Sequence, residues 1–256
     1  MRSYSVRATD CKNPIAKKLL EIVETKQTNI ILAADVHTSA ELLDLAEKIG
    51  PHIAIFKTHL EITEDWIPGL GEKLKAIAQK HNFLIFEDRK LADIGNTMVM
   101  QYENSVFKIA NWANMINVHP IVGMPSIKAL AERTQAHNCG LLLLAELSVA
   151  GNLTDETYKQ KSADMAAELS DSVIGFIARS AFPGSENFLV LTPGVKLEAG
   201  GDGKGQQYLT PETAIAGGSD LIIVGRGIIT SSDPVATAIE YKNAGWQAYQ
   251  NLLVQN

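Results

Sequence analysis

Cysteine is nearly missing from this 256-residue chain: Cys11 and Cys139 stand far apart, and neither belongs to a CxxC pair. That excludes a disulfide scaffold and a thiolate metal centre, and the two read as reduced thiols of an intracellular protein, the cytoplasm being the default location. No HxH or HExxH spacing occurs, so no histidine-built metal site has a motif behind it. No run approaches the roughly 20 apolar residues of a membrane span. The charges of residues 1–7 are not followed by the apolar stretch of a secretory signal. The formal charge of −6 lacks the basic excess of a nucleic-acid footprint and leaves room only for a local anion pocket. Low-complexity segments and linkers are absent as well.

What is present is apolar and rhythmic. Hydrophobic residues make up 46% and charged residues 20%, enough for a sizeable core and against disorder. Eight short apolar runs recur, at residues 30–34, 53–56, 83–86, 115–118, 141–145, 173–176, 188–191 and 221–224. Continuous apolar runs are what a parallel sheet covered on both faces requires. Helical patterns separate most of them, at 14–26, 39–49, around Leu74 and Ile77, at 98–109, 127–136, 155–169 and 233–253. The stretch from 176 to 188 is too short for a full crossover helix. Strand–helix alternation over about 250 residues predicts one α/β domain spanning residues 1–256, a (β/α)8 TIM barrel with an N-terminal covering helix. An open doubly wound sheet answers to the same alternation.

The ends of the runs carry the chemistry. They stop on Asp35, on Lys57 with His59 behind it, on Asp88 and Lys90, on His119, and on Glu146 with Ser148. In a parallel barrel all these ends open on one face. A charge run such as Glu87-Asp88-Arg89-Lys90 is ordinarily a solvated loop, but here other strand ends converge with it. Asp88 and Lys90 are two apart and share a side while the chain stays extended. Carboxylates beside lysines keep both ammonium groups charged, which suits proton donation and disfavours a Schiff base. His119 is either a site residue or a hydrogen-bonded barrel histidine. Asp35, Asp88 and Asp93 could bind magnesium, but Lys57 and Lys90 among them already neutralise the charge.

A second signal follows the seventh and eighth runs: Thr192-Pro193-Gly194, a glycine-rich stretch at 200–205, Gln206-Gln207-Tyr208, and Gly225-Arg226-Gly227. Barrels of this kind bind phosphate there, and Arg226 supplies a forked donor between glycines that permit close backbone approach. A phosphate ester is the expected ligand.

The segment Phe86-Glu87-Asp88-Arg89-Lys90-Leu91-Ala92-Asp93-Ile94-Gly95-Asn96-Thr97 closely resembles the signature of the orotidine 5′-monophosphate decarboxylase family, in its eukaryotic, free-standing form. Phe56-Lys57-Thr58-His59, Leu144-Ala145-Glu146-Leu147-Ser148, Leu191-Thr192-Pro193-Gly194-Val195, Gly205-Gln206-Gln207-Tyr208 and Ile223-Val224-Gly225-Arg226-Gly227 follow in that family's order. The resemblance implies decarboxylation of orotidine monophosphate to UMP without a cofactor or metal. It implies Lys90 as proton donor to C6, Asp88 against the departing carboxylate, and Lys57 and Asp93 completing a Lys-Asp-Lys-Asp array. It implies a homodimer in which Asp93, Ile94 and Thr97 reach the partner's site. Asp35 and His59 match ribose contacts, Ser148 the pyrimidine amide contact, and Gln206, Tyr208 and Arg226 the phosphate grip, with Pro193 and Gly225 beside it. Eukaryotic relatives commonly have Ser two residues before the first-strand aspartate, where this chain has Ala33. A magnesium-dependent sugar-phosphate decarboxylase or aldolase, and an inactive nucleotide-binding protein, are the alternatives.

Overall fold

The computed structural model describes residues 2–198, 200–201 and 207–254. Eight parallel strands close on themselves: β1 (Ile30–Ala33), β2 (Ile55–Thr58), β3 (Leu84–Leu91), β4 (Met115–Val118), β5 (Gly140–Leu144), β6 (Val173–Ile177), β7 (Leu189–Thr192) and β10 (Leu221–Val224). Each pairs with its sequence neighbour, and β10 closes onto β1, which makes a (β/α)8 barrel and removes the open-sheet alternative. Between β7 and β10 a two-stranded antiparallel ribbon, β8 (Gly200–Gly201) and β9 (Gln207–Tyr208), stands on the same rim.

The covering helices form where capping chemistry permits. Asn13 accepts the N–H groups of Ile15 and Ala16 ahead of Pro14 and starts α2 (Pro14–Lys26). Thr38 and Glu41 make a reciprocal capping box for α3 (Ser39–Ile49). Then come α4 (Leu70–His81), α5 (Gly95–Glu103), α6 (Met124–Ala136) and α7 (Glu156–Glu168), the last capped by Asp155. Two short helices, α8 (Pro211–Ala216) and α9 (Arg226–Ile229), flank β10, and α10 (Pro234–Val254) ends the chain. No helix lies between β6 and β7, as the spacing predicts.

Several boundaries differ from the sequence pattern. The N-terminal cover is two helices, because a further one, α1 (Tyr4–Asp10), precedes α2. Tyr4 is buried, stacks on Tyr249 at 4.2 Å and donates its hydroxyl to the Asp220 carbonyl at 2.7 Å, while Arg7 pairs with the Asp220 carboxylate. These contacts close the barrel's N-terminal end. Strand β2 carries Lys57 and Thr58 inside it, and β3 runs five residues past Phe86 to Leu91, so the charge run is strand and not loop. Helix α5 stops at Glu103, with Asn104 as its cap, well before Ile109. No described helix is long and apolar enough to cross a membrane.

Candidate active site

Lys57 is the deepest of the polar groups at the mouth. It occupies the last turn of a strand buried along its whole length, and its ammonium reaches Asp35 Oδ1 at 3.2 Å and Asp88 Oδ2 at 3.1 Å. Burial alone would lower its pKa; the charges of Asp88 and Asp35 outweigh that and raise it, so the ammonium stays protonated. On β3, Lys90 Nζ lies 2.8 Å from the same Asp88 Oδ2, and His59 Nε2 lies 3.1 Å from it. Three donors thus converge on one carboxylate oxygen. Burial would push Asp88 up, but Lys57, the His59 bond and Lys90 together hold it far below the usual carboxylate range. Asp88 is a permanently ionised carboxylate in a nearly dry place.

His59 bridges outward. Its Nδ1 meets Glu61 Oε1 at 3.0 Å and its Nε2 lies 3.3 Å from Lys90 Nζ. Burial works against the imidazolium, and the bonds to Asp88 and Glu61 outweigh burial and raise its pKa.

Two side chains that the strand-end pattern does not single out hold this cluster in place. Asn117, fully buried in β4, donates Nδ2 to Asp88 Oδ1 at 2.7 Å and accepts the Lys90 backbone N–H at 2.7 Å. It does so where the β3–β4 register shifts between Glu87 and Leu91, with Lys90 in the left-handed region at φ 49°. A non-glycine residue there costs energy unless its surroundings fix it. On the other side of β3, buried Glu87 accepts from the Thr58 hydroxyl and, at 3.3 Å, from the Leu60 N–H, so it grips both neighbours of His59. Burial, with Glu61's charge, pushes its carboxyl up to about 8, against the Thr58 bond and His59. For Asn117 the sequence signal is a polar residue inside an apolar run; Glu87 carries none beyond its place at the head of the charge run.

The charged cluster borders a cavity of about 300 Å³. Asp35, Lys57, His59, Asp88 and Lys90 form one side. Ser148, on a loop that Asn152 braces by donating to the Leu147 and Val149 carbonyls, adds to the lining. Pro193, Tyr208, Gly225 and Arg226 complete the far side, and Arg226 donates to the Tyr208 hydroxyl at 2.7 Å. Ala33 is part of the lining and offers no hydroxyl. One end therefore holds a balanced array of two ammonium groups and two carboxylates, and the other end is cationic.

The profile of the orotidine 5′-phosphate decarboxylase / HUMPS family matches residues 28–241. The chain belongs to that family. An orotidine 5′-phosphate decarboxylase of Schizosaccharomyces pombe is 46% identical over 258 residues, covering 100% of this chain and 98% of the relative. One of Phycomyces blakesleeanus is 48% identical over 253 residues, 97% of this chain and 94% of the relative. Among solved structures, the orotidine 5′-monophosphate decarboxylase of Methanocaldococcus jannaschii complexed with the inhibitor BMP superposes with a TM-score of 0.66 at 25% identity, covering 85% of this chain and 98% of that one.

Set against the residues expected from the decarboxylase signature, the single chain gathers Asp35, Lys57, His59, Asp88, Lys90, Ser148, Pro193, Tyr208, Gly225 and Arg226 around one cavity. Asp93, Ile94 and Thr97 do not line it. Asp93 instead accepts the Ile94 N–H and the Gln101 amide, and Ile94 is 69% exposed. Gln206 and most of the 200–206 stretch lie outside the described residues. His119 directly follows β4, outside the cavity lining, and burial and then Lys90 lower its pKa.

Proposed function

We propose that Lys90 protonates C6 of the pyrimidine as carbon dioxide leaves orotidine 5′-monophosphate. Family membership and near-full-length relatives of that activity make the chain a carboxy-lyase that converts this nucleotide to UMP in pyrimidine biosynthesis. The observation that carries the mechanism is the Lys57–Asp88–Lys90 chain, with its 3.1 Å and 2.8 Å contacts on one oxygen.

The chemistry follows from that arrangement. The bond from C6 to the carboxylate breaks, the electron pair stays on C6, and a Lys90 N–H proton moves to it. Nothing adjacent to C6 delocalises that pair, so stabilisation rests on an ammonium already in place before the bond breaks. Asp88 cannot escape the substrate's carboxylate by taking up a proton, because its pKa is held so low. The two negative charges face each other until carbon dioxide departs. Lys57 keeps Asp35 and Asp88 apart as a shared counter-ion. In this reading Asp35 and His59 hold the ribose, Ser148 the base amide, and Arg226 and Tyr208 the phosphate, with Gln206 joining them.

The same reading makes the working unit a homodimer, with Asp93, Ile94 and Thr97 of one copy entering the mouth of the other. What supports it is the exposure of Ile94 together with Met100 and Ile121, at 69%, 44% and 77%. A magnesium-dependent aldolase needs free carboxylates, whereas both Asp35 and Asp88 already bind an ammonium.

Loss of orotidine monophosphate absorbance tests the assignment directly. The wild type should turn over fully after EDTA treatment, and Lys90→Ala should lose at least about a thousandfold in kcat while still binding UMP. Wild-type rates in Lys90→Ala would remove the proposed donor. A wild type that binds UMP without turnover would be an inactive nucleotide-binding protein.

A further inference from the structure

The charge at the cavity's two ends does not match the nucleotide if Arg226 acts alone. Asp35, Lys57, Asp88 and Lys90 sum to zero, and Glu146, the other carboxylate in the lining, adds no cation, so a phosphate ester, close to a dianion at neutral pH, draws its countercharge from the other end. Arg226 supplies one unit. Lys196 lines the same cavity and supplies the second. Its ammonium rests 4.0 Å from the centroid of the Tyr208 ring, and no carboxylate pairs with it among the described residues.

The backbone under Lys196 is fixed on both sides. Its N–H donates to the Leu209 carbonyl at 2.9 Å, the Leu209 N–H donates to the Gly194 carbonyl at 2.9 Å, and the Leu197 N–H donates to the Tyr241 hydroxyl at 3.2 Å. That hydroxyl fits only because residue 227 is glycine; a Cβ there would collide with it. Tyr208 consequently serves two cations at once, its hydroxyl taking Arg226 and its face taking Lys196. A cation over an aromatic face keeps its charge and its hydrogen-bond donors free for an anion.

We propose that Lys196 is the second cation of the phosphate grip, pre-positioned on Tyr208. This rests on the functional reading above and adds to it a binding residue outside the family signature. Once the phosphate is bound, the ammonium donates to a phosphate oxygen, while the forked Arg226 takes others.

The test compares nucleotides with and without phosphate. In Lys196→Met, calorimetric affinity for UMP should fall about tenfold, the size of one partly exposed charge-assisted hydrogen bond, and affinity for uridine should not move. The salt dependence of UMP binding should flatten, KM for orotidine monophosphate should rise by a similar factor, and Lys196→Arg should recover most of the loss. Unchanged UMP affinity in a variant with wild-type melting behaviour would overturn the proposal. So would an equal loss for UMP and uridine, which would make Lys196 a prop for its loop. The two readings fail separately. A wild type without decarboxylase activity whose Lys196→Met variant still loses UMP selectively sinks the function and keeps the lysine. An active wild type with an unaffected variant does the reverse.

Discussion

Asn117 ties Asp88 to Lys90: one amide donates to the Asp88 carboxylate and accepts the Lys90 backbone N–H, both at 2.7 Å. The spacing between Asp88 and Lys90 is therefore set by the neighbouring strand. Asn117→Ala should release both groups and lower kcat about a hundredfold, the cost of misplacing a reacting group by about an ångström. UMP affinity should change by only a few fold, since neither the phosphate nor the base end is touched. Asn117→Asp should be worse, because it faces one carboxylate with another. Wild-type kcat in both variants would show that β3 holds its own geometry.

How much of this was legible in sequence depends on distance along the chain. Asp35, Lys57 and Asp88 could be read because each ends a buried apolar run, and a parallel barrel brings such ends to one mouth. Lys90 lies beside Asp88 in the cavity lining, but spacing by two does not explain it: that spacing assumes a regular strand, and the strand is bulged, with Lys90 at φ 49°. Asn117 stands inside a run that reads as strand, and Glu87 opens a charge run that reads as loop when seen alone. Their partners lie 27 to 29 residues away on neighbouring strands or just past one, so only the register reveals them. The α1 closure was beyond reach, because Tyr4 and Arg7 meet residues more than 200 positions distant.

At the opposite end of the barrel, the Lys26 ammonium sits among four backbone carbonyls, those of Gly50, Ile53, His81 and Asn82, at 2.6 to 3.1 Å, its three N–H groups shared between them. Two of them belong to the C-caps of α3 and α4, where an ammonium also meets the negative ends of the helix dipoles. Lys26→Met should cost about 3 kcal/mol, the range for losing bonds to a charged donor while leaving carbonyls unpaired. Urea unfolding measures it, and UMP affinity should be unaltered. An unchanged midpoint would mean that water replaces the ammonium freely.

Glu87 makes stability depend on pH in an unusual direction. Its folded pKa is raised from 4.5 to about 8. Below about 4.5 it is neutral in both folded and unfolded chains, and its contribution is fully present. From there to about 8 the unfolded chain ionises while the folded one resists, so stability falls by at most about 1.4 kcal/mol per pH unit. Glu87→Gln keeps the shape and cannot ionise. Melting temperature against pH should therefore decline less steeply for Glu87→Gln than for the wild type between pH 5 and 8. Parallel curves would place the ionised form in the folded protein, satisfied by Thr58 and the Leu60 N–H.

The segment that begins with Glu87 ends in residues that its own cavity does not use. Asp93 turns back onto Gln101, and Ile94 stands in solvent. If those residues complete a second copy's mouth, Lys90→Ala and Asp93→Ala are each inactive for different reasons, one lacking the donor and the other its neighbouring carboxylate. Unfolding and refolding a one-to-one mixture makes half the dimers hybrid. Each hybrid has one mouth with both defects and one with none, so about a quarter of wild-type activity should return. Separately refolded variants should stay inactive, and dilution below the dimer's dissociation constant should abolish the recovered activity. A mixture as inactive as its components would mean that Asp93 acts within its own subunit. The side chain would then have to leave Gln101 and swing into the mouth when substrate binds.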